Sequence, residues 1–128
     1  MLDADSFLED CDVLTTGQDL TTILVKARAL LSDVTRWTCW AQARDIRGFQ
    51  VRIEDPRACC WCIEGAIGRV SNVVGVVPPS ILRFLDLLVQ ELQQDAVNVV
   101  SDFNDMVSHD VLLQFLDNAI KRSMEIDG

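Results

Sequence analysis

Between Asp19 and Val34 apolar residues recur at intervals of three and four: Leu20, Ile23, Leu24, Ala27, Leu30, Leu31 and Val34 fall on one side, with Lys26, Arg28 and Asp33 elsewhere. That spacing predicts a one-faced helix of about four turns. Asp19 is suited to cap its start by accepting a hydrogen bond from a free backbone N–H, and Ser32-Asp33 weakens the helix near its end. The period then changes. Phe49, Val51 and Ile53 alternate with Gln50, Arg52 and Glu54, as in a half-buried strand, and Asp45 to Gly48 supplies a turn in which Gly48 can take positive φ. Residues 37–54 are therefore expected to form a small hairpin.

Asp55-Pro56 reads as a second helix start, a carboxylate cap followed by a ring whose missing N–H costs nothing at the first helical position, with the helix running to about Val70. SNVVGVVPP follows as a loop. A third helix is expected over about Ser80 to Gln94. Its apolar residues Ile81, Leu82, Phe84, Leu85, Leu87, Leu88, Val89 and Leu92 are too many for one stripe, so it is either the central helix or partly buried in a homodimer. VNVVSDFNDMVS, residues 97–108, reads as an irregular or briefly extended connector. Ser108 can cap a last helix whose core side uses Leu112, Phe115, Leu116, Ala119 and Ile120; Lys121 and Arg122 suit its C-terminal end, and a short acidic tail follows. The expected fold is mostly α: four main helices with a short β-hairpin between the first and second, forming a single domain over 19–128 behind an acidic N-terminal arm over 1–18.

The 128 residues allow one hydrophobic core and leave little room for a second. The net charge of −9 is unevenly spread. Residues 1–19 hold six acids and no base, residues 20–69 hold eight bases and five acids, and residues 70–128 hold three bases and nine acids. Nonspecific nucleic-acid binding needs clustered Lys and Arg to release counterions, so direct nucleic-acid binding is not expected. A protein partner with a basic surface is. No run of 18 uncharged apolar residues is present, and MLDADSFLED carries carboxylates where a signal peptide carries positive charge. The expectation is a cytoplasmic protein without membrane attachment, its five cysteines reduced.

The densest candidate chemistry is RACCWCIEGA at 57–66. On a helix Cys59, Cys62, Ile63, Ala66, Ile67 and Val70 share a face, and reduced cysteine packs as a small hydrophobe. Zinc would need about four ligands, and no second spaced pair exists. A redox pair at a helix start is the other reading, since Cys59 closely follows Pro56. Gly65 and Gly68, beside Trp61, leave a shallow strip that calls for close approach by another backbone or a ring. In SDFNDMVSHD, His109 lies among Asp102, Asn104, Asp105, Ser108 and Asp110. A carboxylate could orient the imidazole for acid–base chemistry. The same residues also make a satisfied turn and cap with Phe103 anchored in the core. No cofactor or metal signature is complete.

WTCWAQARDIRGFQV, DPRACCWCIEGAI and DFNDMVSHDVLLQFLDNAI together resemble a family of small uncharacterised bacterial and phage proteins, over about residues 19–122. The resemblance rests on an A-R-D-x-x-G turn, a W-C-x-x-G-A helix and an aromatic-Asn-Asp segment followed by a histidine. It singles out Arg44, Asp45, Trp61, Phe103, Asn104, Asp105 and His109 as a binding patch, and it implies no activity. The acidic first eighteen residues and the bulky CWA at 39–41 depart from its pattern. The sequence thus favours a small acidic interaction or regulatory protein, of phage or mobile-element type, that binds another protein and carries no catalytic set. The alternative is a small hydrolase-like enzyme or small-ligand binder centred on His109 and Asp105.

Overall fold

A computed structural model of the chain describes residues 17–92 and 97–127. Most of the expected acidic arm lies outside the described residues. Helix α1 spans Gly17–Leu30, a 3-10 turn Val34–Arg36, strand β1 Ala43–Arg44, strand β2 Cys60–Trp61, and helices α2 to α5 span Ile63–Val70, Pro79–Glu91, Val100–Met106 and His109–Asp127. The mostly helical fold with a short antiparallel pairing between its first two helices is as expected.

Helix α1 buries Ile23, Leu24 and Ala27, and Leu31 just past its end, against α5, which contributes Leu112, Phe115, Leu116 and Ala119. Each of the Leu, Ile and Phe side chains among them contributes roughly 1.5–3 kcal/mol when fully buried. The pair is tied at its edges by Arg28 to Asp117 at 2.9 Å and by the Thr21 and Ser123 hydroxyls at 2.7 Å. Ser123 donates to the Ile120 carbonyl, so Thr21 is the donor of that contact. The helix stops earlier than its apolar pattern suggests: Asp33 accepts from the Thr35 N–H and caps the 3-10 turn, leaving Val34 exposed. Asp19, expected as the cap, lies within the helix.

The helix expected from Asp55-Pro56 does not start there. Asp55 accepts from the Arg57 N–H at 2.8 Å and its carbonyl accepts from Ala58, which closes a turn. The chain then runs extended, and Ala43 pairs with Trp61 and Arg44 with Cys60. Helix α2 opens only at Ile63, with Cys62 as its cap: the Cys62 sulfur accepts from the Gly65 N–H at 3.3 Å. Cys59 and Cys62 therefore share no helical face. A partner strand seventeen residues upstream overrides the local helix signal, an effect that no local pattern contains.

The Asp45–Gly48 turn forms as read. Gly48, at φ 87°, donates to the Asp45 carbonyl, and the Asp45 N–H donates to Phe49. The return leg is shorter than expected, with one bridge from Arg44 to Gln50 and one bond from Val51 to Ala43. Phe49 is 61% exposed instead of facing the core, while Ile53 is buried. Gly65 meets a close backbone, as its place in the helix demanded: a β-carbon there would lie 1.9 Å from the Gln42 carbonyl oxygen.

Helix α3 is neither buried all round nor central. It buries Ile81, Leu85, Leu88 and Val89, half-buries Leu82 and Phe84, and leaves Leu87, and Leu92 at its C-cap, outward, while α1 pairs most extensively with α5. Residues 100–106 of the expected connector are helical. Asp86, on α3, accepts from the Val100 N–H at 2.7 Å, so the cap of α4 comes from another element, and Val100, Phe103 and Asn104 turn inward together. Ser108 caps α5 through the Val111 N–H, but the helix continues to Asp127 in place of the expected tail.

Candidate functional site

The turn at 37–42 and helix α4 meet at Asn104, which is fully buried. Its Oδ1 accepts from the Trp37 indole at 2.8 Å and from the Ile63 backbone N–H, a free donor of α2's first turn, at 3.0 Å. Its Nδ2 donates to the Thr38 carbonyl at 3.1 Å and to Asp105 Oδ1 at 3.0 Å. All four hydrogen-bonding positions of the amide are used, as burial requires. One side chain thereby fixes the turn, the start of α2 and α4 to one another.

Asp105 passes this order outward. The same Oδ1 accepts from the Trp40 backbone N–H at 2.9 Å. Trp40 stands at φ 66°, in the left-handed region. A β-carbon makes that conformation unfavourable by about 1–2 kcal/mol, which a glycine would avoid. The Trp40 indole is nevertheless 71% exposed. Strain of this kind persists only where the surroundings hold it, and it is a recurring property of functional sites.

Beside the indole lies a cleft of about 310 Å³, lined by Trp40, Ala41, Gln42, Cys62, Glu64, Ser101, Asp102 and Asp105. Its lining carries three carboxylates and no basic side chain. One of them, Glu64, accepts from the Gln42 amide. An aromatic face next to carboxylates attracts ammonium and guanidinium groups, through the ring quadrupole and through the local potential. Burial pushes the Cys62 thiol up to about 11, so it stays protonated near neutral pH and is a poor nucleophile.

The other expected patch residues are dispersed. His109 Nε2–H donates to the Leu31 carbonyl at 2.7 Å, and its ring tilts against Trp37 at 5.5 Å between centroids. That bond joins the end of α1 to the start of α5. Arg44 donates to Thr38 Oγ1, to the Gly48 carbonyl and to the Cys39 carbonyl, bracing the turn from inside. Asp45 accepts from the Arg47 and Phe49 N–H groups within the turn itself. Phe103 packs in the core at 4.6 Å from Phe115. Trp61 is buried, with the Arg69 guanidinium 5.5 Å from its ring and its own N–H directed to the Ile53 carbonyl. Asn104 and Asp105 are thus the two that the fold joins, and Trp37, Thr38 and Trp40 complete their cluster. For the Trp40 side of that cluster the sequence signal was the bulky CWA, which pattern alone does not distinguish from core.

Among the described residues no three His, Cys, Asp or Glu side chains come together as a metal site, and no helix is long and apolar enough to cross a membrane. No curated protein and no solved structure matches the chain. A family model does match, over residues 15–122, and it covers the turn, the cleft and all the patch residues. The chain belongs to this family, the family of unknown function DUF6197.

Proposed function

We propose that this is a non-catalytic recognition protein that docks on a basic protein partner, with a Lys or Arg side chain of that partner lying against Trp40 and reaching into the acidic cleft. The observation that carries this reading is Trp40 itself: a large indole, 71% exposed, on a strained residue whose backbone is anchored through Asp105 to the buried Asn104. Tryptophan is enriched among residues that dominate binding energy, and a rigid mount lowers the entropy lost on association. The neighbouring Glu64, Asp102 and Asp105 supply the complementary sign, and the net charge of −9 favours encounter with a basic surface. Such a surface could be one that otherwise meets nucleic acid. The four free thiols among the described residues are in keeping with a reducing, cytoplasmic setting.

The hydrolase-like alternative draws less support, because the hydrogen bonds of His109 and Asp105 run to different partners. A homodimer through α3 is favoured only by the outward Leu87 and Leu92.

Selection from a random peptide library tests the proposal. The wild-type protein is expected to enrich Lys- and Arg-containing peptides. Trp40→Gly, which relaxes the strained turn, is expected to hold or raise the thermal midpoint while losing that enrichment. Acidic or purely apolar winners, or an undiminished enrichment by Trp40→Gly, would exclude this docking mode.

A further inference from the structure

Immediately before the buried Trp61, two consecutive thiols share a second cleft. Cys59 and Cys60 are both half-buried, and both line a cavity of about 530 Å³ with Thr35, Arg36, Asp45, Ile46 and Gly48. Their backbone is held by the strand pairing that displaced the expected helix: the Cys59 N–H donates to the Arg44 carbonyl at 2.9 Å, and the Cys60 sulfur approaches the same carbonyl at 3.9 Å. The two thiols lie within hydrogen-bonding reach of each other. Neither thiol serves the core or a cap, unlike Cys62, and neither belongs to the Trp40 cleft.

We propose that Cys59 and Cys60 form a two-thiol site for a soft, two-coordinate monovalent ion of the Cu(I) class. Thiolates select soft ions, and two of them complete the shell of an ion that accepts linear coordination. Zinc is a poor fit, because a structural zinc site needs about four ligands and no set of three converges among the described residues. Binding displaces both thiol protons: Cu(I) plus two thiols gives an anionic bis-thiolate complex and two protons, with no change of oxidation state. Arg36, in the lining, opposes the resulting negative charge, whereas Asp45 adds to it; the Asp45 carboxylate is already engaged by the Arg47 and Phe49 N–H groups. Burial, and next the adjacent Cys59 thiol, hold the Cys60 thiol above its ordinary range. The exposed side chain of Ile46, 89% accessible, and that of Phe49 flank the turn beneath.

Anaerobic titration of the reduced full-length chain with Cu(I), in competition with the chromophoric chelator bicinchoninate, tests the site. One equivalent is expected to bind, and mapping of iodoacetamide labelling is expected to show Cys59 and Cys60 protected together while Cys11, Cys39 and Cys62 keep their rates. Even supporting partners of a metal site are worth about 10–100-fold in affinity, so Cys59→Ser or Cys60→Ser should each weaken binding by at least about 100-fold. The labelling map of the unaltered chain needs no variant to fold. Protection of a different set of thiols, protection of one thiol alone, or failure to compete with the chelator would overturn the assignment.

Discussion

Asn104→Leu is expected to destabilise the protein by about 3 kcal/mol or more, since each buried polar group left without a partner costs about 1–3 kcal/mol. Leucine preserves the bulk but abandons the Trp37 indole N–H, the Ile63 N–H and the Thr38 carbonyl, and it releases Asp105. Small domains are commonly stable by only about 5–15 kcal/mol, so a loss of this size takes a large share. Urea unfolding measures it, with the slope unchanged if only the folded state is affected. Asn104→Asp separates the two halves of the amide. Its carboxylate still accepts from Trp37 and Ile63, but it faces Asp105 where a donor stood. Two carboxyls so placed raise one another's pKa in the folded state. A folded-state pKa above the unfolded value penalises folding at neutral pH, and the penalty fades as pH falls through it. The stability of Asn104→Asp relative to wild type should therefore recover on acidification. A neutral Asn104→Leu, or an Asn104→Asp deficit independent of pH, would remove Asn104 from the centre of the account.

Gly65→Ala is expected to lose about 2 kcal/mol or more, despite a gain of about 1 kcal/mol in helix preference. Its β-carbon would meet the Gln42 carbonyl oxygen at 1.9 Å and the carbonyl carbon at 2.8 Å, backbone atoms that cannot swing aside. Relief would require moving the turn that carries Trp40, so binding should fall along with stability. Gly68→Ala is the control. Its nearest neighbours are side-chain methyls of Val77 and Ile53 at 3.0 and 3.1 Å, which can give, and its loss should be the smaller. Thermal unfolding of the two variants side by side decides the matter; an equal or reversed order would contradict the backbone contact.

Much of the architecture was legible because it is written in short-range pattern. The core faces of α1 and α5 follow from spacings of three and four, the Asp45–Gly48 turn from its end residues, and the α5 cap from Ser108. The failures share a cause. Asp55-Pro56 makes a turn because β1 claims Cys60–Trp61, and α4 forms in an expected connector because Asp86 caps it from another helix. Both depend on partners distant in sequence. The same holds for the site. Asn104 and Asp105 could be singled out as polar residues in an unusual cluster, but that Asn104 would be buried and Trp40 exposed followed from no local rule. Tryptophan in WTCW reads as core until the left-handed backbone turns it outward.

The three tryptophans offer a direct measurement of the central claim, that recognition occurs at the Trp40 turn. The Trp37 and Trp61 indole N–H groups are bonded internally, to Asn104 and to the Ile53 carbonyl, and so serve as internal references. In a nitrogen–proton correlation spectrum, a selected basic peptide added stepwise should shift the Trp40 indole resonance in a saturable way, together with the amides of Asp102 and Glu64, and leave the other two indoles nearly in place. A Trp40 resonance that stays fixed while the shifts gather on α3 around Leu87 would contradict it.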